Sequence, residues 1–321
     1  MSASYILKRV LAAFVTLLFI LVFNFFLFRT LGDPVKLIAR DQQMSVDEQD
    51  ALRKQLCLDR PPLEQFTQCY MPQLLHGNLG QTASGDDVST LIWDRIPKTL
   101  LLTGTATLLA TIMGVWVGIK AGWKRGSRFD RWTLMTSMTF YSTPEFLLGM
   151  FFIIVFAAWL GWFPISGYQN VVTPTTGFAH VLDVLNHLFL PCLTLTLGYF
   201  GEYSLVMRAS MLDVVAEDFT TASRAKGIRE SEVRNRHVVP NAMLPIITAS
   251  VLYFGFIIAG AVGVEYVFSY PGLGLLTVDA LDSTNLALLE GLFLFFSAAI
   301  IVANLVADVL MGYVDPRIRY G

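Results

Sequence analysis

Five carboxylates stand inside runs that are otherwise apolar: Glu145, Glu202, Glu265, Glu290 and Asp308. An ionisable side chain at membrane depth is costly, so each is a candidate for lining or gating a path. Glu145 lies thirteen residues into its run, about 20 Å along at ~1.5 Å per helical residue. It is the leading pathway candidate, against a buried structural hydrogen bond as the plainer role. Glu202 falls in the inner half of its run, and Glu265 and Glu290 lie near outer ends. Asp308 follows Asn304 by one turn and sits near the headgroup level, where a structural role is favoured. No Asp, Glu and His chain runs along one helix, which argues against a proton relay.

Other chemistry is absent from the motifs. There is no G-x-x-x-x-G-K-[ST] phosphate loop, no G-x-S-x-G and no H-E-x-x-H. The four histidines, His76, His180, His187 and His237, are scattered, and no CxxC or Cys/His spacing suggests a metal. No catalytic residue, metal site or cofactor site is expected in this chain. Cys57 and Cys69 lie twelve apart in a polar region. In an oxidising compartment they can form a disulfide; two unpaired thiols are the alternative.

The elements that position these residues follow from composition. Of 321 residues, 54% are hydrophobic and only 15% charged, well below the ~25% charged of soluble domains. This implies an all-α, polytopic membrane protein. Six segments are apolar enough to span: residues 10–28, 100–119, 132–160, 187–207, 244–266 and 286–313. Pro144 is placed to break the third, and Gly291 or tilt to accommodate the sixth. With a cytoplasmic N-terminus, fifteen of the 23 basic residues fall inside, including Arg317 and Arg319. Both termini are therefore expected in the cytoplasm. The first segment exceeds a usual signal-peptide core and "RTLGDP" offers no A-x-A-like site, so it reads as a retained helix.

The expected organisation is an N-terminal transmembrane helix (1–30), an extracytoplasmic insert (31–98) and a core (99–321). The core holds five transmembrane helices and a polar cytoplasmic loop at about 209–243. In the insert, "SVDEQDALRKQL" opens with Ser45 and carries Glu48 three residues on, a capping-box pattern. Gly114 and Gly118 in the second segment, and Gly255, Ala259 and Gly263 in the fifth, recur every four residues and permit close helix approach.

The cytoplasmic loop contains "AEDFTTASRAKGIRESEVRNRHVVPNAMLP". Ser210 followed by Asp213 resembles a capping box opening a helix that runs through Ala225. Gly227 is the natural residue after its C-terminus, with Arg224 and Lys226 in the last turn complementing the dipole. A second helix follows from about Ser231, and Pro240 and Pro245 bracket the return to the membrane. Small residues Ala222, Ser223 and Ala225, edged by Glu217, Asp218, Arg224 and Lys226, suit docking into another protein's groove. A solvated loop against anionic lipid is the alternative.

This stretch resembles the EAA loop of ABC-transporter permeases, in the form found in the dipeptide/oligopeptide/nickel import family. The positions that match are Glu217, Asp218, Thr221, Ala222, Arg224, Ala225, Lys226, Gly227, Arg236, His237, Asn241, Ala242 and Pro245. Phe219 stands where the family often has Tyr. The resemblance covers nearly the whole chain, through "CLDRPPLEQF", "GNLGQT", "LGWFPISGY", "VEYVFSYPGLGLL" and "NLVADVLMGYVDPRIR", and favours the B-type subunit. Cys57 replaces a common Gly, Glu145 often corresponds to Ser, and "ALDSTNLALLEG" lacks the usual D-Y/F-P.

The resemblance implies a type I ABC importer permease fold in the cytoplasmic (inner) membrane of a bacterium or archaeon. It implies a homologous C-type permease, two cytoplasmic ATPases that bind ATP and magnesium, and an extracytoplasmic binding protein as partners. Membrane lipid surrounds the chain, and no nucleic acid is involved. Di- or oligopeptides are the expected cargo, with nickel chelates, glutathione or oligosaccharides as alternatives. The competing classes are an ion-coupled secondary transporter, for which duplicated halves would be expected, and a membrane scaffold that recruits a soluble enzyme.

Overall fold

The computed structural model describes residues 3–32, 35, 44–55, 57–82, 84–259 and 261–314. Arg317 and Arg319 lie outside them. Among the described residues the only β-pairing is an isolated bridge, Gln81 with Asp87; the rest of the regular structure is helical. Two compact units are present: residues 1–98 with 272–321, and residues 99–271. The C-terminal segment, expected within the core, thus groups with the N-terminal one.

In the first unit, α1 (Ala3–Leu31) packs along the last helix, α11 (Leu286–Val314). Arg9 and Asp308 pair at 2.9 Å between them. Gly291 lies within α11, which runs unbroken through it. It serves close approach, since a Cβ there would come within 2.5 Å of Val88 Cγ1. Around this contact Phe28, Val88, Ile92, Leu273, Leu288 and Leu292 form an apolar cluster.

The insert contains α2 (Val46–Gln55), and Ser45 and Glu48 form the expected capping box. Ser45 N donates to Glu48 Oε2 at 2.7 Å, Ser45 Oγ donates to the same oxygen, and Ser45 Oγ accepts from Glu48 N. These bonds, the backbone one first, hold the Glu48 carboxyl below its usual range. A helical stretch follows, Pro62–Glu64, Gln65–Tyr70 and Met71–Leu75, its middle turn widened to π geometry. Cys57 and Cys69 are joined by a disulfide with Cα atoms 6.6 Å apart. Cys57 has φ 56°, a left-handed backbone that favours glycine.

A long helix, α3 (Val88–Trp123), belongs to the first unit up to Lys98 and to the second from Thr99. The second unit continues with α4 (Arg128–Ser142), α5 (Glu145–Phe152, prolonged by a π turn over Ile153–Trp159) and α6 (Phe178–Val215). Ser127 caps α4 by accepting from Asp130 N at 3.1 Å. The chain bends by 99° between Ser142 and Glu145, where Pro144 interrupts the helical hydrogen bonds. The expected third crossing is thus divided between two helices set at a sharp angle.

Helix α6 is the centre of this unit, and glycines let its neighbours approach. A Cβ on Gly114, Gly118 or Gly122 of α3 would come within 2.5–2.6 Å of the Cβ atoms of Tyr203, Met207 and Met211 respectively. On another face Gly201 meets α4, and a Cβ there would lie 2.6 Å from the Ser137 carbonyl oxygen. The small-residue spacing of the second apolar segment therefore serves packing within this subunit.

The remaining elements are α7 (Asp218–Ala225), α8 (Leu244–Ala259), α9 (Val262–Val267) and α10 (Leu273–Asp282), the last in the first unit. Among the described residues four single helices are long and apolar enough to cross a membrane, and the bent α4–α5 pair would make a fifth if it is one span. The expected segment 244–266 is divided: α8 has 16 residues, and α9 starts at Val262. The surroundings of Gly255 and Ala259 lie outside the described side chains, whereas Gly263 faces Phe146.

Candidate functional site: a helical elbow and the carboxylates of the apolar helices

The elbow begins where α6 ends. Ser210 does not open a new helix with Asp213; α6 continues through both to Val215. With its backbone already inside a helix, Ser210 turns its hydroxyl to the Ala242 carbonyl, donating at 2.8 Å. The elbow helix α7 starts at Asp218, after Glu217 in extended backbone. Thr220, which the sequence did not single out, is fully buried and donates to the Val214 carbonyl at 3.0 Å.

At the other end Gly227 takes the left-handed conformation at φ 74°. Its N–H donates to Arg224 O at 2.9 Å and that of Ile228 to Ser223 O at 3.4 Å, the paired bonds that close a helix C-terminus. Arg224 donates to Glu230 Oε1 at 3.0 Å and lies over the Trp123 ring at 5.5 Å. Helical turns then run through Glu230–Glu232, Val233–Val238 and Val239–Ala242. Arg236 pairs with Glu232, and Asn241 donates to His237 O. Pro245 lies exposed in the first turn of α8.

One side of the elbow is fixed and the other is free for contact. Val233, Val238, Ala242 and Ile246 are buried against Tyr203, Met207 and Met211 of α6. Outward stand Glu217, Asp218, Phe219, Thr221, Ala222, Ala225 and Lys226, with Phe219 41% exposed although aromatic. The result is a short, low-relief helix face around an exposed ring, held from behind by buried packing.

The four carboxylate candidates occupy different surroundings. Glu265 is fully buried and accepts from Thr99 Oγ1 at 2.9 Å. Glu290 is buried in the first unit with Arg29 Nη1 3.7 Å away, while its backbone oxygen accepts from Asn24 Nδ2. Glu145 is half-buried in the first turn of α5, just past the bend, against Gly198; a Cβ on that glycine would come within 3.2 Å of it. Glu202 is half-buried on α6. Among the described residues no group of three His, Cys, Asp or Glu side chains is placed to hold a metal.

A buried ion pair, not anticipated from sequence, lies beside the elbow's root. Arg208 of α6 grips Asp130 of α4 with two bonds, Nε to Oδ1 and Nη2 to Oδ2 at 3.0 Å. The partners are 78 residues apart, and each alone reads as one more charge in a basic loop.

Comparison with known proteins gives a consistent family. Residues 110–320 match the model described as "Binding-protein-dependent transport system inner membrane component", and residues 2–103 match its N-terminal companion. A protein of Brucella suis biovar 1, whose name assigns it to the peptide permeases, is 36% identical over 319 residues, covering 98% of each chain. The glutathione transport system permease protein GsiC of Salmonella paratyphi A is 37% identical over 322 residues, covering 99% of each. In fold, the chain is similar to a subunit of the inward-facing MetNI methionine ABC transporter, with TM-score 0.55 and 16% identity over 70% of this chain and 96% of that one. A second crystal form of the same transporter gives TM-score 0.57. The chain belongs to the family of binding-protein-dependent transport system inner membrane components, and is a multi-pass ABC permease subunit of the bacterial inner membrane.

Proposed function

We propose that the chain forms half of a translocation path for short peptides, glutathione among them, and that its elbow receives the stroke of cytoplasmic ATPases. The observation that carries the coupling role is the asymmetry of the elbow. Its back is locked to α6 by Thr220, Ser210, Val233, Val238 and Ala242, while α7 offers Phe219, Ala222 and Ala225 outward. A displacement of α7 is then passed to α6 rather than absorbed locally.

In this reading Glu217, Asp218, Arg224 and Lys226 frame the docking face, and Gly227 sets the elbow's angle. Thr221 lies on the exposed face, while Arg236, His237, Asn241 and Pro245 carry the chain back to α8. ATP and magnesium are bound and turned over in the partner ATPases; this chain supplies the lever and the path. A homologous permease completes the path, and an extracytoplasmic binding protein delivers cargo. Glu145, at a 99° bend where the helix is interrupted, is the favoured path-lining carboxylate, with Glu202 second. Glu265 and Glu290 act as anchors through Thr99 and through Arg29.

The peptide assignment is supported by the names of relatives aligned end to end at 36–37% identity. The test is purification of the tagged chain in mild detergent, identification of co-purifying proteins, and uptake of labelled glutathione by the reconstituted complex. A second permease, ATPases and ATP-dependent uptake are expected. A chain that purifies alone, under conditions that preserve a control importer, contradicts the assembly.

A further inference from the structure

We propose that Asp130 and Arg208 form a strut that carries the movement of α6 into α4, so that α4 follows the elbow while this ion pair is closed. The inference rests on the coupling role of the elbow proposed above. It adds the route by which displacement leaves α6.

The geometry is that of a rigid link. Asp130 is 2% exposed, and both its oxygens are engaged by the Arg208 fork. The N–H of Gly126 donates to Oδ2 at 2.8 Å, and Ser127 Oγ accepts from Asp130 N. The carboxylate therefore fixes both the turn before α4 and the first turn of α4 itself. A planar fork holds orientation as well as distance, which a single contact to an ammonium would not.

The placement along the helices gives the link its use. Arg208 lies ten residues before the start of α7, on the continuous part of α6. Higher on the same helix, Gly201 presses on Ser137 and Tyr141 of α4, and Gly198 faces Glu145 just beyond the bend. The pair thus clamps one end of α4, glycine packing fixes its middle, and the far end leads into the bend that carries the favoured path carboxylate. Packing at Gly201 resists compression more stiffly than separation; the ion pair adds a directional link that pulls. α4 would be drawn with α6 in both directions only while Asp130 and Arg208 remain bonded.

The test reads movement of α4 directly and does not depend on cargo. Arg128, exposed at the start of α4 and outside its apolar run, is replaced by cysteine as a reporter in the full chain, purified with its native partners. This chain's own background is low, because Cys57 and Cys69 are bonded and Cys192 is buried, and labelling is read on this chain after it is separated from its partners. Maleimide labelling is timed with and without ATP plus vanadate. With the pair intact, the rate is expected to change at least threefold between the two states. Asp130→Asn should assemble and hydrolyse ATP while the change falls below 1.5-fold. Should Asp130→Asn fail to assemble, Arg208→Lys, which keeps the charge and loses the fork, is expected to reduce the change at least twofold.

A full ATP-dependent change in assembled Asp130→Asn or Arg208→Lys complexes overturns the strut. So does a reporter that never responds with the pair intact. Ala225→Glu on the elbow separates the two ideas: a response that survives Ala225→Glu but is lost with Asp130→Asn contradicts the elbow's role and leaves the strut standing.

Discussion

Gly118 of α3 lies so close to Met207 of α6 that a Cβ on the glycine would come within 2.6 Å of the methionine Cβ and 2.8 Å of Ser204 O. Neither neighbour is the tip of a flexible chain. Both are backbone or directly attached to it, so the helices themselves would have to part. The elbow hangs from this same helix, and its apolar back rests on Met207 and Met211.

Gly118→Ala is therefore expected to destabilise the subunit by about 1–3 kcal/mol, the range for overpacking a filled interior. Gly104 on the same helix has nothing within 4 Å of a Cβ, so Gly104→Ala should be neutral or slightly stabilising, as alanine is the better helix former. Thermal denaturation of the two detergent-solubilised variants checks this. Equal midpoints would contradict the packing account.

The disulfide predicts a labelling pattern. Without reduction, a membrane-impermeant maleimide should label neither Cys57 nor Cys69; after reduction it should label both. Cys57 also holds a left-handed backbone, which costs an L-residue about 1–2 kcal/mol. Once the crosslink is gone, Cys57→Gly should be more stable than Cys57→Ala by about 1 kcal/mol. Equal stability of the two would show that the backbone there relaxes.

Gly227 closes α7 at φ 74° with its N–H bonded to Arg224 O. Gly227→Pro cannot adopt that φ and loses the donor, so uptake should fall at least tenfold while membrane insertion is retained. Gly227→Asn, which tolerates the left-handed region, should keep most of the activity. Comparable loss in both variants would place the defect elsewhere than in the backbone angle.

The buried bond from Thr99 to Glu265 makes a fourth expectation. Thr99→Val keeps the shape and removes the hydroxyl donor, so stability should drop by about 1 kcal/mol, the net worth of one hydrogen bond. Uptake at saturating cargo by the folded fraction should be unchanged, because Glu265 acts as an anchor in this account. A selective loss of transport with unchanged stability would return Glu265 to the pathway.

Local chemistry was legible in the sequence where a few neighbouring residues decide the outcome. The Ser45–Glu48 box, the left-handed Gly227 and the break at Pro144 are of this kind. The apolar runs located the long helices, though Phe178–Val215 extends beyond its run at both ends because polar turns there continue the helix. Ser210 misled because a capping pattern also occurs inside a helix, where the hydroxyl can serve a distant carbonyl. The Asp130–Arg208 pair and the α6 face that receives Gly114, Gly118 and Gly122 depend on segments about 80–90 residues away, which local pattern does not bring together.

The most direct measurement is transport per ATP hydrolysed by the purified native complex carrying Ala225→Glu, with labelled glutathione as probe. Ala225 is exposed near the end of α7 and contributes no buried contact, so the variant should insert and keep its other permease partner. The account predicts at least a tenfold fall in cargo moved per ATP. Normal uptake by an assembled Ala225→Glu complex would contradict the elbow as the coupling element.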